Sequence, residues 1–259
     1  MAEDSVVVTR QGAVAIVRLN EPKSMNALSM PVRDGFKRAS DDLLADEEVR
    51  AIVLTGTGSA FSAGGDIRMM GQKRAPEIRR RMQAAYTWLG AFLKAEKPVV
   101  TAVNGVAAGA GMSLALAGDI IIASRAAYFM TAFAKLGACP DLGLVATLPR
   151  AIGTARAKDL LMTSRKVTAE EAWQMGLVSR VVAPEELMAT ALETAGALAA
   201  APTATLGLIK RLMLRAFDPS IDEFLEVEGF AQAIAQSTED FEEGVAAFRE
   251  KRKARFKGR

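Results

Sequence analysis

Two glycine-rich segments, Phe61-Ser-Ala-Gly-Gly-Asp-Ile67 and Asn104-Gly-Val-Ala-Ala-Gly-Ala-Gly-Met112, lie either side of one short apolar run. Their small residues leave backbone N–H groups unobstructed, and the second segment leads into an Ala/Leu stretch, Ser113 to Ala117, read as a helix. Two N–H groups converging from two loops, one of them at a helix start, can hold an oxyanion as it develops. The chemistry served by such a pair is stabilisation of an enolate or a tetrahedral intermediate. The plain alternative for either loop alone is a tight turn.

The chain contains no histidine and a single cysteine, Cys139. That excludes Ser-His-Asp and Cys-His nucleophilic sites, His-ligated zinc and His general bases. Proton transfer must fall to Asp, Glu, Tyr, Lys, Cys or water. Cys139 cannot form an internal disulfide, which fits a reducing cytoplasm, and with no base evident it reads as a small buried thiol. No metal site is expected. A net charge of +3 does not by itself imply a nucleic-acid partner. Half of the 259 residues are hydrophobic and 24% are charged, as in a soluble globular protein. Met-Ala-Glu-Asp-Ser-Val at the N-terminus lacks a signal-peptide pattern. The uncharged stretch from Pro98 to Gly118, broken by Asn104-Gly105, reads as a buried strand, loop and helix rather than a membrane span.

The elements that must carry the two loops follow from periodicity. Val6–Thr9 and Ala13–Leu19 read as a hairpin around Gln11-Gly12. A helix is expected from about Pro31 to Asp46, capped by Ser29, with Val32, Phe36, Ala39 and Leu43 on one face. Strands are expected at Arg50–Thr55, Pro98–Val103 and Asp119–Ala123, with a helix within Ile67 to Glu96 whose start is broken by Gly71 and Pro76. Thr131–Leu136 reads as a short helix ended by Gly137, and Gly143–Ile152 as another. Thr168-Ala-Glu-Glu171 is a capping box before a helix closed by Gly176, and Val178–Val182 is a short strand. Beyond Pro184 the pattern is helical, with breaks near Pro202 and Asp218-Pro219. Strands alternating with helices, then helices alone, predict an α/β core with a helical C-terminal part.

The ordered set Asn20-Glu-Pro-Lys-Ser-Met-Asn26-Ala27, Phe61–Ile67, Lys97-Pro-Val-Val-Thr-Ala-Val-Asn-Gly105, Gly109–Asp119 and Phe248-Arg-Glu-Lys-Arg-Lys resembles the crotonase (enoyl-CoA hydratase/isomerase) superfamily. The resemblance implies an α/β fold, the ClpP-like spiral of ββα units. Residues 1–200 would be the core with the CoA-thioester site, and 201–259 a helical oligomerisation region forming trimers or dimers of trimers. It implies an acyl-CoA substrate and no cofactor beyond the coenzyme A of that substrate. The backbone N–H groups of Gly65 and Ala110 would form the oxyanion hole. Ala63, Gly64, Asp66 and Ile67 would approach coenzyme A, as would Phe248 and Lys251, often toward a neighbouring subunit. Asp66 could equally be only a helix cap.

The two catalytic glutamates of the family's hydratases fall on Ser113 and Phe133, so the usual addition of water loses both carboxylates. Asp141, in Leu136-Gly-Ala-Cys-Pro-Asp141-Leu-Gly143, remains. Its Pro-Asp-x-Gly turn resembles the isomerase branch, closest to 1,2-epoxyphenylacetyl-CoA isomerase-like members, with a departure at Leu144 where a second glycine is usual. One carboxylate suits an isomerase that takes a proton from C2 of a 3-enoyl-CoA and returns it to C4. The plain alternative is a turn aspartate capping the next helix. Met69, Met70, Ser113, Phe133 and Leu136, with Ile67, Met82 and Tyr86, are candidates to line the acyl pocket. Core packing would explain the Met and Leu residues as well, and a backbone-bonded hydroxyl would explain Ser113. From Arg249 to Arg259 there are seven basic residues and one acid, read as a solvated, frayed tail, as a CoA-phosphate contact or, least favoured, as an RNA surface. The competing functions are a hydratase with a non-standard acid/base and a non-catalytic acyl-CoA- or RNA-binding homologue.

Overall fold

The computed structural model describes residues 4–69, 71 and 74–259. β1 (Val6–Gln11) and β2 (Val14–Leu19) pair antiparallel, with Val6 opposite Leu19. α1 (Met30–Ala45) starts where the Ser29 hydroxyl accepts from the Val32 N–H, and it buries Val32, Phe36, Ala39 and Leu43, the spacing the sequence offered. Three strand pairs follow. β3 (Ala51–Gly56) leads to β4 (Ala60–Ser62) and α2 (Ala75–Lys94). β5 (Val99–Val103) leads to β6 (Val106–Ala108) and α3 (Ala110–Ala115). β7 (Ile120–Ser124) leads to β8 (Tyr128–Met130). Next come α4 (Leu144–Ile152), α5 (Thr154–Thr163), β9 (Val167–Thr168), α6 (Ala169–Gln174), β10 (Arg180–Val182) and α7 (Leu187–Ala199). α8 (Thr203–Arg215), α9 (Ile221–Gln236) and α10 (Glu239–Glu250) complete the chain.

The first strand of each pair enters a six-stranded sheet ordered β1-β2-β3-β5-β7-β10, and the second enters a four-stranded sheet ordered β4-β6-β8-β9. From β2 to β10 the larger sheet is parallel. Each pair thus turns a corner between two sheets and advances one strand, which is the spiral of ββα units.

Alternate residues of the larger sheet feed two cores. Val14, Ile16, Val53, Val100 and Ile122 pack against Leu187, Ala191, Ala195 and Ala199, one face of α7. Val17, Leu19, Ile52, Leu54 and Val99 face α1, α2 and the smaller sheet. There Phe36 meets Trp88 and Phe92 edge-on, with ring centroids 5.1 and 5.3 Å apart. Each such pair adds about 0.5–1.5 kcal/mol beyond its buried area.

Several local expectations change. The second glycine segment contains β6, and its helix begins at Ala110 rather than Ser113. The Thr131–Leu136 helix shrinks to a single 3-10 turn, Ala134–Leu136. Thr168 accepts from the Glu171 N–H, so the forward arm of the expected capping box forms. The uncharged Pro98–Gly118 stretch forms β5, β6 and α3, and among the described residues no single helix is long and apolar enough to cross a membrane. The basic tail is docked, not frayed. Buried Asp240 accepts the N–H groups of Lys257 and Gly258, and Arg50 donates to the carbonyls of Phe256 and Ala201.

Candidate active site

Two asparagine networks, around buried Asn26 and half-buried Asn104, hold the first glycine loop. The Asn26 amide donates to the carbonyls of Thr57 and Ala60 at 2.9 and 2.8 Å, and its oxygen accepts from the Glu21 N–H. Asn104 donates to the carbonyls of Gly58 and Ala60 and accepts from the Gly56 N–H. Ser62 Oγ donates to the Asn26 carbonyl and accepts from the Gly64 N–H. The Ala63 N–H donates to Met25, and the Gly64 carbonyl accepts from Leu28 at 2.7 Å. The N–H groups of Ala63 and Gly64 are therefore consumed in building the loop. Gly65 N–H is the next in line, and among the described residues it donates to no protein acceptor.

The second loop is pinned by Gly109, whose N–H donates to Met130 at 2.9 Å. Gly109 sits at φ 52°, ψ −126°, a region closed to side chains, and it turns the chain into α3. The Ala110 N–H, first in that helix, also has no acceptor among the described residues. The loops touch: a Cβ on Gly64 would lie 2.5 Å from the Ala108 carbonyl and 3.2 Å from Ala110 N.

Gly65 and Ala110 line one small cavity of about 60 Å³ together with Phe133, Asp141, Asp66, Arg33 and Arg81. Phe133 is buried and forms an apolar wall. Asp141 lies before Leu142, held at φ +48°, and Gly143, at φ +77°. Its carboxylate does not cap α4, whose start carries no side-chain hydrogen bond. Instead Asp141 Oδ1 is buried without a partner. Burial pushes its pKa above the usual carboxylate range, against the pull of Arg33 and Arg81. Arg33 is itself lowered, first by burial and then by Arg81, while Asp141 opposes the change. Asp66 is claimed by Arg68, which donates to it from its backbone N–H, Nε and Nη2 at 3.0, 3.0 and 2.9 Å and holds its pKa low. Asp66 thus fills the capping role at the Ile67–Met69 turn while also facing the cavity.

Other candidates lie elsewhere. Ser113 Oγ reaches the Gly109 carbonyl at 3.4 Å inside α3 and does not line the cavity, so the backbone-bonded reading holds. Leu136 and Ile67 are 58% and 71% exposed and are not cavity walls. Cys139 is exposed, which corrects the buried-thiol expectation, because Gly137 and Pro140 carry the turn out to the surface. Met69 ends the 3-10 turn at Ile67, and Met70 lies outside the described residues. Phe248 is 86% exposed on α10, and Lys251, its left-handed cap, is exposed too; neither lines the Asp141 cavity. A groove of about 1640 Å³ runs along the docked tail, with several of its lining charges already paired, as in Arg252 with Glu243 and Lys257 with Glu239. Among the described residues no group of three or more Cys, Asp or Glu side chains is arranged to hold a metal ion. Sequence reading missed Arg33 and Arg81. They sit on α1 and α2, where an arginine looks like part of a solvated face.

Residues 9–259 match the Enoyl-CoA hydratase/isomerase family. The chain is 39% identical over 250 residues to 1,2-epoxyphenylacetyl-CoA isomerase of Escherichia coli (strain K12), covering 95% of each chain. It is 35% identical over 257 residues to the crotonyl-CoA hydratase of Syntrophomonas wolfei, covering 99% of each. The crystal structure of an enoyl-CoA hydratase from Bacillus anthracis superposes with a TM-score of 0.92 at 30% identity, over 98% of this chain and all of the other. The chain belongs to the enoyl-CoA hydratase/isomerase family of crotonase-fold enzymes.

Proposed function

We propose that this protein is an acyl-CoA isomerase that moves a double bond from the 3- to the 2-position, or rearranges an epoxyphenylacetyl-CoA, through a thioester enolate. The observation that carries this reading is one half-buried carboxylate, whose Oδ1 is buried without a partner, sharing a cavity with two unclaimed N–H groups. The thioester oxygen accepts from Gly65 and Ala110. The Asp141 carboxylate takes the C2 proton, and the C2–H electron pair spreads onto the thioester oxygen and C4. Asp141 then returns the proton to C4, leaving the double bond between C2 and C3. Its raised pKa makes it a stronger base, and Phe133 keeps water from competing. Ala63, Gly64, Asp66 and Ile67 would guide coenzyme A, with Phe248 and Lys251 reaching the nucleotide end across a subunit contact. The protein would work in the cytoplasm with no further cofactor.

Hydration is the second reading, favoured by the likeness to the crotonyl-CoA hydratase. Against it stand Ser113, bonded to its own helix, and Phe133, where carboxylates would be needed. An RNA-binding role loses ground because Arg252, Lys257 and Arg259 are already paired with Glu243 and Glu239. Incubation with 3-enoyl-CoA and 2-enoyl-CoA in deuterated water separates these. Double-bond migration with deuterium at C2 or C4 supports the isomerase; 3-hydroxyacyl-CoA as the product overturns it in favour of hydration; inertness toward both, with tight CoA binding, leaves specialised chemistry such as the epoxide rearrangement or a binding role.

A further inference from the structure

The cavity holds more positive charge than an alkenoyl thioester can use. Arg33 and Arg81 both face it, and among the described residues neither guanidinium forms an ion pair. Arg33 spends its Nε on the Leu28 carbonyl at 2.8 Å, leaving the outer nitrogens of the fork. Arg81 donates no hydrogen bond to the described protein, and its Nε is buried without a partner. The carboxylates do not balance these two. Asp66 is taken up by Arg68, which does not line the cavity, so among the lining residues Asp141 is the carboxylate left to face both guanidiniums. When Asp141 carries the substrate's proton the excess grows by one. A half-buried guanidinium whose buried Nε has no acceptor is a structural cost unless a ligand supplies one. The planar fork matches a carboxylate.

We infer that Arg33 and Arg81 form a carboxylate-binding subsite and that the preferred substrates are half-thioesters of short dicarboxylic acids, with a free carboxylate a few carbons from the thioester. This rests on the reading that an acyl-CoA thioester sits on the Gly65 and Ala110 N–H groups. The chain must be short because about 60 Å³ contains the oxyanion donors, Asp141 and both guanidiniums. The subsite also orients the acyl chain. A carboxylate anchored on Arg81 leaves the carbons between it and the thioester extended past Asp141, where C2 and C4 can reach one base. An uncharged chain of equal length has no such anchor.

Binding tests this without requiring turnover. The probes are glutaryl-CoA and pentanoyl-CoA, five-carbon thioesters that differ in a terminal carboxylate, measured by calorimetry on the full-length protein. The wild type should bind glutaryl-CoA at least about 10-fold more tightly. Arg81→Gln should bring the ratio close to one, and Arg81→Lys, which keeps the charge but loses the fork, should keep part of it. Equal affinities in the wild type, or tighter pentanoyl-CoA, overturn the subsite alone. So does an Arg81→Gln variant that weakens both thioesters equally, since that is the mark of a structural role. Binding of neither thioester overturns the acyl-CoA reading and the subsite together. The wild-type ratio decides the matter even where a variant does not fold.

Discussion

Asp141 carries two effects of one cause. Burial raises its pKa above the ordinary 3.8, and the same burial disfavours the charged form in the folded protein. For catalysis the carboxylate must be ionised, so kcat/KM should rise with pH along an acidic limb displaced above 3.8. For stability the sign is opposite to that of a paired aspartate. The folded state binds the proton more tightly than the unfolded one, so stability falls as pH rises from 3.8 through the raised value. Asp141→Asn removes that cost. It should lower double-bond migration by about 10²–10⁴-fold while raising the melting temperature at neutral pH, an advantage that fades toward pH 3. Rate assays with thermal melts across pH check both halves. An active Asn variant would remove Asp141 from the mechanism, and a variant that melts lower at neutral pH would contradict the electrostatic account. Leu142, held at φ +48° beside it, is a second sign that local stability yields to geometry here.

At the scale of elements, the oxyanion frame depends on how closely two loops approach. Gly64 has φ +94°, and a methyl group there would meet the Ala108 carbonyl at 2.5 Å, backbone against backbone. Gly64→Ala should therefore push the loops apart, misalign the Gly65 N–H and lower kcat by roughly 10²–10³-fold, with a loss of about 1–3 kcal/mol in stability. Gly12→Ala is the matched control: its φ is +59° but nothing lies within 4 Å, so it should cost stability and leave kcat unchanged. Equal kcat losses in the two variants would mean that glycine strain in general, and not loop approach, governs the rate. The loops themselves were legible in the sequence because small residues in a row have few other uses, and α1 was legible from Ser29 and its fourfold apolar spacing. β6 and β8 were not, since three-residue strands inside glycine- and alanine-rich text have no period to read. Nor were the two arginines. Helical spacing tells which face of α2 is apolar, with Ala85, Trp88, Leu89 and Phe92 buried. It does not tell that Arg81, on the edge of that face, comes within electrostatic reach of Asp141, sixty residues away in the chain.

At the scale of the whole molecule, the C-terminal helices leave apolar side chains uncovered in a regular pattern. Ile209, Met213 and Phe217 follow one another at intervals of four along α8 and its end, and are 51%, 62% and 71% exposed. Ile221 and Leu225, then Phe230 and Ile234, repeat the interval along α9, and α8 packs directly on α9. A soluble monomer rarely keeps so much apolar surface in water. We propose that this surface seats self-association, as a trimer or a dimer of trimers. Burying one such phenylalanine contributes about 1.5–3 kcal/mol, and closed symmetry counts each substitution once per subunit. Phe217→Asp combined with Phe230→Asp should reduce the particle from three or six chain masses to one in light scattering. Both positions are exposed in the single chain, so its fold, followed by circular dichroism, should persist. If Phe248 and Lys251 do reach coenzyme A across the subunit contact, the dissociated variant should also bind acyl-CoA more weakly, with Asp141 chemistry on bound substrate intact. A wild type that is monomeric at micromolar concentration would instead leave this apolar surface to a partner other than a second copy of the chain.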